Sequence, residues 1–308
     1  MSGSAHASSP DAMPYHPAGA AGRFLIGGDL PVNRLGFGAM RLAGGQWSWG
    51  PPADENAARY VLQRAVDLGV TFIDTADAYG PNVVEDLIRT TLAPYPDDLV
   101  VATKGGQTRS GWDKWEPVGR PEYLRQCVAM SLQRLGVERI DLYQLHRIDE
   151  QVPLEDQIGA LAEMQQAGWI RHIGLSEVGV DEITAAQAVA PITSVQNLYN
   201  LGNRMHEPVL EHCEQNGIAF IPWFPMAMGR LAKENSPLAG VAASRGATPA
   251  QVALAWLLRR SPVMIPIPGT SSVRHLEQNI AAAELDLSDQ EFADIAAMVP
   301  DQHVASRS

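Results

Sequence analysis

The chain has 308 residues, 45% of them apolar and 19% charged, a composition that can bury a full core and excludes a disordered chain. Its 35 acidic against 23 basic residues leave a formal charge of −12, so nucleic acid and anionic membrane surfaces are excluded as partners. Its apolar runs, such as Ala253 to Leu258, fall far short of the roughly 20 residues that a transmembrane helix needs.

Residues 1–22, MSGSAHASSPDAMPYHPAGAAG, offer no packing face and neither the basic start nor the apolar segment of a secretory signal. The expectation is a flexible tail on a cytoplasmic protein, with one folded domain over residues 23–308. FLIGGDLPVNRLGFG then sets two short extended runs around Gly27, Gly28 and Asp29, which predicts a hairpin. From Arg34 onward, runs rich in Val, Ile and Phe alternate with stretches of three- and four-residue apolar spacing. Strands are predicted at 34–40, 70–76, 99–104, 140–146, 170–176, 192–197, 218–223 and 263–268. Helices are predicted at 55–68, 83–92, 121–135, 154–167, 180–189, 208–216 and 249–260. Thr248 and Pro249 with Gln251, and Ser288 with Glu291, are capping boxes that open the helix at 249–260 and a last short helix. Gly69, Gly136, Gly168 and Gly217 stand where helices should stop.

Eight strand-then-helix units in about 250 residues predict an α/β fold of the (β/α)8 TIM-barrel type, with an N-terminal β-hairpin and a short C-terminal helix. A doubly wound dinucleotide fold would need GxGxxG after the first strand, whereas Gly36-Phe37-Gly38 is followed by Ala39-Met40-Arg41. Cys127 and Cys213 lie far apart in helical stretches, so reduced thiols are expected. His212 beside Cys213 lacks a third ligand at metal spacing, and no metal is predicted.

A barrel carries its chemistry at the carboxyl ends of its strands. There the second strand closes with Asp74 and runs on to Tyr79, the third ends in Lys104 and the fourth in His146. Taken singly, these could be a helix cap, a packed ring, a solvated charge and a core histidine. Four such groups on three consecutive strand ends point to one reactive site.

FIDTADAYG, VATKGG, YQLHRID and IPGTSSVRHLEQN resemble, in order, the signatures of the aldo-keto reductase superfamily, over Arg34 to Asn279. VNRLGFGAMRLAG, ATPAQVALAWLLRRSP and IPGTSSV resemble its bacterial pyridoxal reductase-like branch. The resemblance implies hydride transfer from NADPH to a small-molecule aldehyde or ketone, with Asp74, Tyr79, Lys104 and His146 as the catalytic tetrad. Charge then builds on the carbonyl oxygen, which needs a proton and hydrogen-bond donors. A free phenol, with a pKa of about 10, is a sluggish acid at neutral pH, and the Lys104 ammonium is expected to lower that of Tyr79. Asp74 would keep Lys104 charged, and His146 would orient the carbonyl.

The resemblance further implies that Gly38, Ala39, Met40 and Asp74 approach the nicotinamide end of the cofactor and that Ser176, Glu177 and Gln196 hold its carboxamide. Glu177 departs from the usual Asn and can only accept. Trp223 would stack on the ring, with Phe224, Pro225 and Met226 beside it. Gly269, Thr270, Ser271, Ser272, Gln278 and Asn279 would hold the adenosine phosphate at a helix N-terminus, and His275, next to Arg274, the 2′-phosphate. Trp47 and Trp49 after the first strand, and Trp112 and Trp115 after the third, are expected to line the substrate mouth with Tyr79 and His146, favouring flat or apolar carbonyl compounds, although exposed loop tryptophans equally fit a contact between subunits. The protein is expected to be a monomer or weak homo-oligomer. The resemblance leaves one alternative: a nucleotide-binding regulatory barrel that senses redox state, like the potassium-channel β subunits.

Overall fold

The structure, a computed structural model, describes residues 16–299 and Asp301. Strand β1 (Arg23–Ile26) and β2 (Leu30–Asn33) form the predicted antiparallel hairpin, turning through Gly27 and Gly28 at positive φ. Ile26, Leu30 and Val32 on this hairpin pack against Phe72, Val100 and Leu142, so it plugs one end of the sheet's interior. Asp29 locks the plug, accepting from Arg171 Nη2 at 3.0 Å and lying 2.6 Å from His172 Nε2.

The parallel sheet follows in βα steps. β3 (Phe37–Gly38) leads to α1 (Glu55–Asp67), β4 (Phe72–Asp74) to α2 (Val83–Leu92), and β5 (Val100–Gly105) to α3 (Pro121–Leu135). Between β5 and α3 lies an antiparallel pair, β6 (Gln107–Gly111) and β7 (Lys114–Pro117). Then β8 (Ile140–Leu145) leads to α4 (Leu154–Gln166), β9 (Ile170–Ser176) to α5 (Val180–Gln187), and β10 (Ile192–Gln196) to α6 (Glu207–Asn216). β11 (Ala219–Phe220) is followed by α7 (Ala239–Ser244), α8 (Pro249–Arg260), α9 (Val273–Ile280) and α10 (Asp289–Met298). The sheet order is β11-β10-β9-β8-β5-β4-β3. Both capping boxes form as expected, Thr248 with Gln251 on α8 and Ser288 with Glu291 on α10. Gly136 and Gly217 end α3 and α6 in the left-handed conformation.

The eighth expected strand, 263–268, is corrected: it is no strand, because Pro266 and Pro268 remove two ladder donors. Its backbone nevertheless meets both sheet edges. Phe220 N donates to Val263 O at 2.9 Å and Ile265 N to Phe220 O at 2.8 Å, while Gly36 N donates to Pro266 O at 3.0 Å. The first and seventh strands shrink to two residues each, β11 stopping short of Pro222. The β6–β7 hairpin and α7 escape the sequence pattern; QTRSG and KWEP carry no run of alternating apolar residues.

Regular structure also occurs within the segment expected as a tail. Residues 1–15 lie outside the described residues, but Pro17–Ala21 forms a 3-10 helix with Ala18 fully buried. Ala18 N donates to Leu68 O at 3.1 Å, and Arg34 Nη1 to Ala21 O at 3.4 Å. Deleting residues 1–22 is therefore expected to lower the melting temperature by at least ~2 °C, since it uncovers Leu68 and removes the Ala21 carbonyl that Arg34 donates to. Thermal denaturation of the truncated chain beside the full chain checks this, and an unchanged midpoint would mean the helix adds nothing.

Candidate active site

The sheet register sets Gly38 beside Asp74, Asp74 beside Ala102, and Lys104 beside Gln144, which brings the strand-end groups together. Lys104 is fully buried, and its ammonium spends all three protons: on Asp74 Oδ2 at 2.7 Å, Thr75 O at 2.9 Å and the Tyr79 hydroxyl oxygen at 3.3 Å. Asp74 Oδ1 accepts from Gln144 Nε2 at 3.2 Å and Gln196 Nε2 at 2.8 Å. Thus all three ammonium protons and both carboxylate oxygens of a buried ion pair have partners, the condition under which such a pair is tolerated. The His146 ring stands edge-on to Tyr79 with centroids 6.0 Å apart, and its enclosed Nδ1 has no hydrogen-bond partner. All four expected residues therefore meet. Gln144, which completes the shell of Asp74, was not anticipated.

Burial opposes the charge on Lys104, but Asp74 and Tyr79 outweigh it and hold the ammonium above the ordinary lysine value. Burial pushes Tyr79 above the ordinary phenol value, and Lys104 offsets this only in part. The expected net lowering of Tyr79 is thus corrected: desolvation of a phenolate costs more than one ammonium, already shared with Asp74, returns. Tyr79 keeps its proton at neutral pH. Burial, then the cations Arg147, Lys104 and Arg109, push His146 well below the ordinary imidazole value, so it is a neutral hydrogen-bond partner.

Behind the tetrad lies a second acid. Asp77, whose N donates to Lys104 O at 3.1 Å, is buried with Oδ1 unpaired, and burial followed by repulsion from Glu85 raises its pKa to about 7. Its unfolded value is lower, so between roughly pH 4 and 7 the folded state holds the extra proton and stability falls as pH rises, by up to ~1 kcal/mol per pH unit. Asp77→Asn is expected to gain melting temperature over the parent progressively across that window and by a constant amount above it. A difference independent of pH would show that Asp77 does not titrate there.

Several residues expected at a nicotinamide cofactor lie at the same strand ends or in the segments that follow them. Gly38 and Gly269 pack backbone to backbone; a Cβ on Gly38 would lie 2.6 Å from Ile267 O and one on Gly269 2.6 Å from Gly38 O. Ala39 is buried and Met40 half-buried, opening a 3-10 helix after β3. Ser176 Oγ accepts from Arg147 Nη1 at 2.9 Å, a neighbour the sequence gave no reason to expect. Gln196 spends its amide nitrogen on Asp74. Glu177, at φ 57, turns to Trp223: its Oε1 accepts from Leu198 N at 2.5 Å and Trp223 Nε1 at 2.6 Å. Burial opposes its charge, and the His206, Trp223 and Leu198 donors hold it below the ordinary carboxylate value. Glu177 Oε1 is thus engaged by the indole of Trp223 and the backbone of Leu198. Phe224 packs on Trp223 at 4.6 Å between centroids, with Pro225 buried and Met226 half-buried beyond it.

At the far end Ser272 caps α9, accepting from His275 N at 3.5 Å, and Thr270 Oγ1 accepts from Ser272 N at 3.0 Å. Ser271, Arg274 and His275 are exposed, and Gln278 is half-buried. Asn279 is buried with Nδ2 lacking any partner. That leaves a buried, unsatisfied amide donor on the helix whose N-terminus Ser272 caps.

The four rim tryptophans surround one cation. Arg109 lies 3.5 Å from the Trp115 ring centroid and 5.3 Å from that of Trp49. It donates to Ala78 O at 3.0 Å, Trp47 O at 3.1 Å, Trp112 O at 2.9 Å and, at the limit, Ser48 O at 3.5 Å. Trp47 and Ser48 both hold the left-handed conformation, at φ 50 and 60, which costs an L-residue roughly 1–2 kcal/mol. Trp115 reaches the tetrad, its ring edge-on to His146 at 6.2 Å.

Among the described residues no helix is long and apolar enough to cross a membrane, and no cluster of metal-ligating side chains occurs. A model of the aldo/keto reductase family matches residues 34–300. An uncharacterized oxidoreductase of Schizosaccharomyces pombe is 53% identical over 90% of this chain and 89% of its own. Pyridoxine 4-dehydrogenase of Escherichia coli is 46% identical over 85% of this chain and 93% of its own. The crystal structure of an aldo-keto reductase from Klebsiella pneumoniae in complex with NADPH superposes with a TM-score of 0.78 at 26% identity, covering 91% of this chain and 96% of that one. A buried Lys-Asp pair aimed at a tyrosine stands in a chain that the family model matches over residues 34–300: this protein belongs to the aldo/keto reductase family and is an oxidoreductase.

Proposed function

We propose that the protein reduces a flat aromatic or heteroaromatic aldehyde, or a ketone, to the alcohol with NADPH, inside a single domain whose barrel is closed by the 263–268 segment. The observation that carries the reading is Lys104, fully buried, held by Asp74 and aimed at the Tyr79 hydroxyl at 3.3 Å. Bound in the cleft between Gly38, Trp223 and α9, NADPH would supply the hydride to the carbonyl carbon. Tyr79 delivers its own proton to the carbonyl oxygen. Lys104 stabilises the phenolate left behind, at short range in a dry site where such a charge is worth most. Asp74 keeps Lys104 ionised and fixed in direction, while neutral His146 helps orient the carbonyl. Ser176 and Gln196 line the nicotinamide end, Trp223 its face, and Asn279 the adenine end. The Escherichia coli relative is named for an aromatic alcohol, which agrees with a mouth lined by Trp47, Trp49, Trp112 and Trp115.

The test is NADPH oxidation by the purified protein with a panel of aldehydes. Turnover of order 0.1 to 10 per second is expected with the best of them. Stoichiometric bleaching of cofactor without turnover would favour the regulatory, redox-sensing alternative. In the same assay His275→Ala is expected to weaken NADPH more than NADH, because the 2′-phosphate is the part that differs and the exposed His275 and Arg274 side chains carry N–H donors near the N-terminus of α9. Equal losses for both cofactors would remove His275 from the phosphate site.

A further inference from the structure

We infer that Arg109 is the positioning residue that shapes the substrate mouth and sets its preference for flat aromatic carbonyl compounds, an inference that rests on the carbonyl-reductase reading. Arg109 lies in an irregularity of the β6–β7 hairpin, between the paired residues Thr108 and Glu116 on one side and Gly111 and Lys114 on the other. A bulge of this kind re-aims a side chain out of the ladder. Here it sends the guanidinium across to the loop after β3, where Trp47 and Ser48 adopt left-handed backbone and offer Arg109 their carbonyls. The strained turn and the cation that accepts its geometry are thus one device. The same guanidinium ties down Ala78 O, one residue before Tyr79, and lies flat on Trp115, whose ring meets His146. The loop it holds is also hydrogen-bonded beside the catalytic tyrosine, Gly80 N donating to Ser48 O at 3.0 Å and Gly50 N to Gly80 O at 2.9 Å.

Trp47, Trp49 and Trp112 are substantially exposed, so packing against the body of the protein does not fix them. One planar cation with several fixed donors does. Lysine has the charge but neither the flat face nor the fork, and cannot bind four carbonyls while stacking on a ring. The loops would then relax, and the slot that a flat ring enters would lose its walls. A small aliphatic aldehyde needs no such slot.

The experiment measures kcat and KM for 2-naphthaldehyde and for propanal in the parent, Arg109→Lys and Arg109→Gln. The ratio of kcat/KM for the two substrates is expected to fall at least about 10-fold in both variants, mainly through a higher KM for 2-naphthaldehyde. A ratio within about twofold of the parent's, whatever the individual losses, overturns the inference, since a merely structural role would depress both substrates alike. Calorimetric titration of 2-naphthaldehyde into protein saturated with NADP+ gives a reading without turnover: weaker binding by a similar factor in the variants supports the inference, and unchanged binding overturns it. A parent that reduces neither aldehyde would end the carbonyl-reductase reading, while the titration still decides the role of Arg109. Should Arg109→Gln fail to fold, Arg109→Lys, which keeps the charge, decides alone.

Discussion

Tyr79→Phe is expected to cut turnover of the best aldehyde by at least about 100-fold while leaving NADPH affinity nearly unchanged. The substitution removes one oxygen, the one that Lys104 Nζ approaches at 3.3 Å, and keeps the ring that stands against His146. No replacement acid is at hand. His146 is held neutral by burial and by three neighbouring cations, and Asp77 is turned into the protein behind the Lys104 backbone. Steady-state kinetics with a parallel fluorescence titration of NADPH check both halves of the expectation. Activity within a few-fold of the parent would remove Tyr79 as proton donor.

Lys104→Met is expected to be as damaging to turnover and, unlike Tyr79→Phe, costly to the fold. It strips Asp74, whose side chain is 2% exposed, of its counter-ion and leaves the carboxylate with the amides of Gln144 and Gln196. Breaking one partner out of a buried pair costs about 3–5 kcal/mol, enough to lower the melting temperature by several degrees in a chain of this size. Because the lysine is proposed to act through the tyrosine, the double variant should turn over scarcely more slowly than Lys104→Met alone. Losses that multiply would separate the two groups into independent contributions and undo the proposed coupling. A melting temperature equal to the parent's would mean that the pair adds nothing to the stability of the fold.

The two expectations differ because one group sits at the end of the polar chain and the other in its middle. Tyr79 hands its hydroxyl to a single neighbour, whereas Lys104 satisfies three acceptors from two elements. The same logic fixes Glu177, whose Oε1 already accepts from two N–H donors within 2.6 Å, on Leu198 and Trp223.

Local pattern determined much of this protein. Apolar runs and glycine stops set the βα steps, the capping boxes at Thr248 and Ser288 opened their helices, and Asp74, Lys104 and His146 were readable as polar residues ending apolar strands. Those features depend on neighbours a few residues away, so a linear reading reaches them. What the tertiary structure decided depends on partners far along the chain. Pro266 and Pro268 exclude the last strand because ladder donors are needed there from both edges, and the segment at Ala18 is held because its backbone bonds to Leu68 and that of Ala21 to Arg34. Gln144 becomes part of the ion pair only once Asp74 stands across the interior, 70 positions away. Arg109 sits in a polar segment with no period, and its reach to Trp47 across 62 positions exists only because β6 and β7 pair out of register. Burial decided the balance at Tyr79 as well: the sequence supplied the phenol and the ammonium, but which of desolvation and attraction prevails is a property of the closed site.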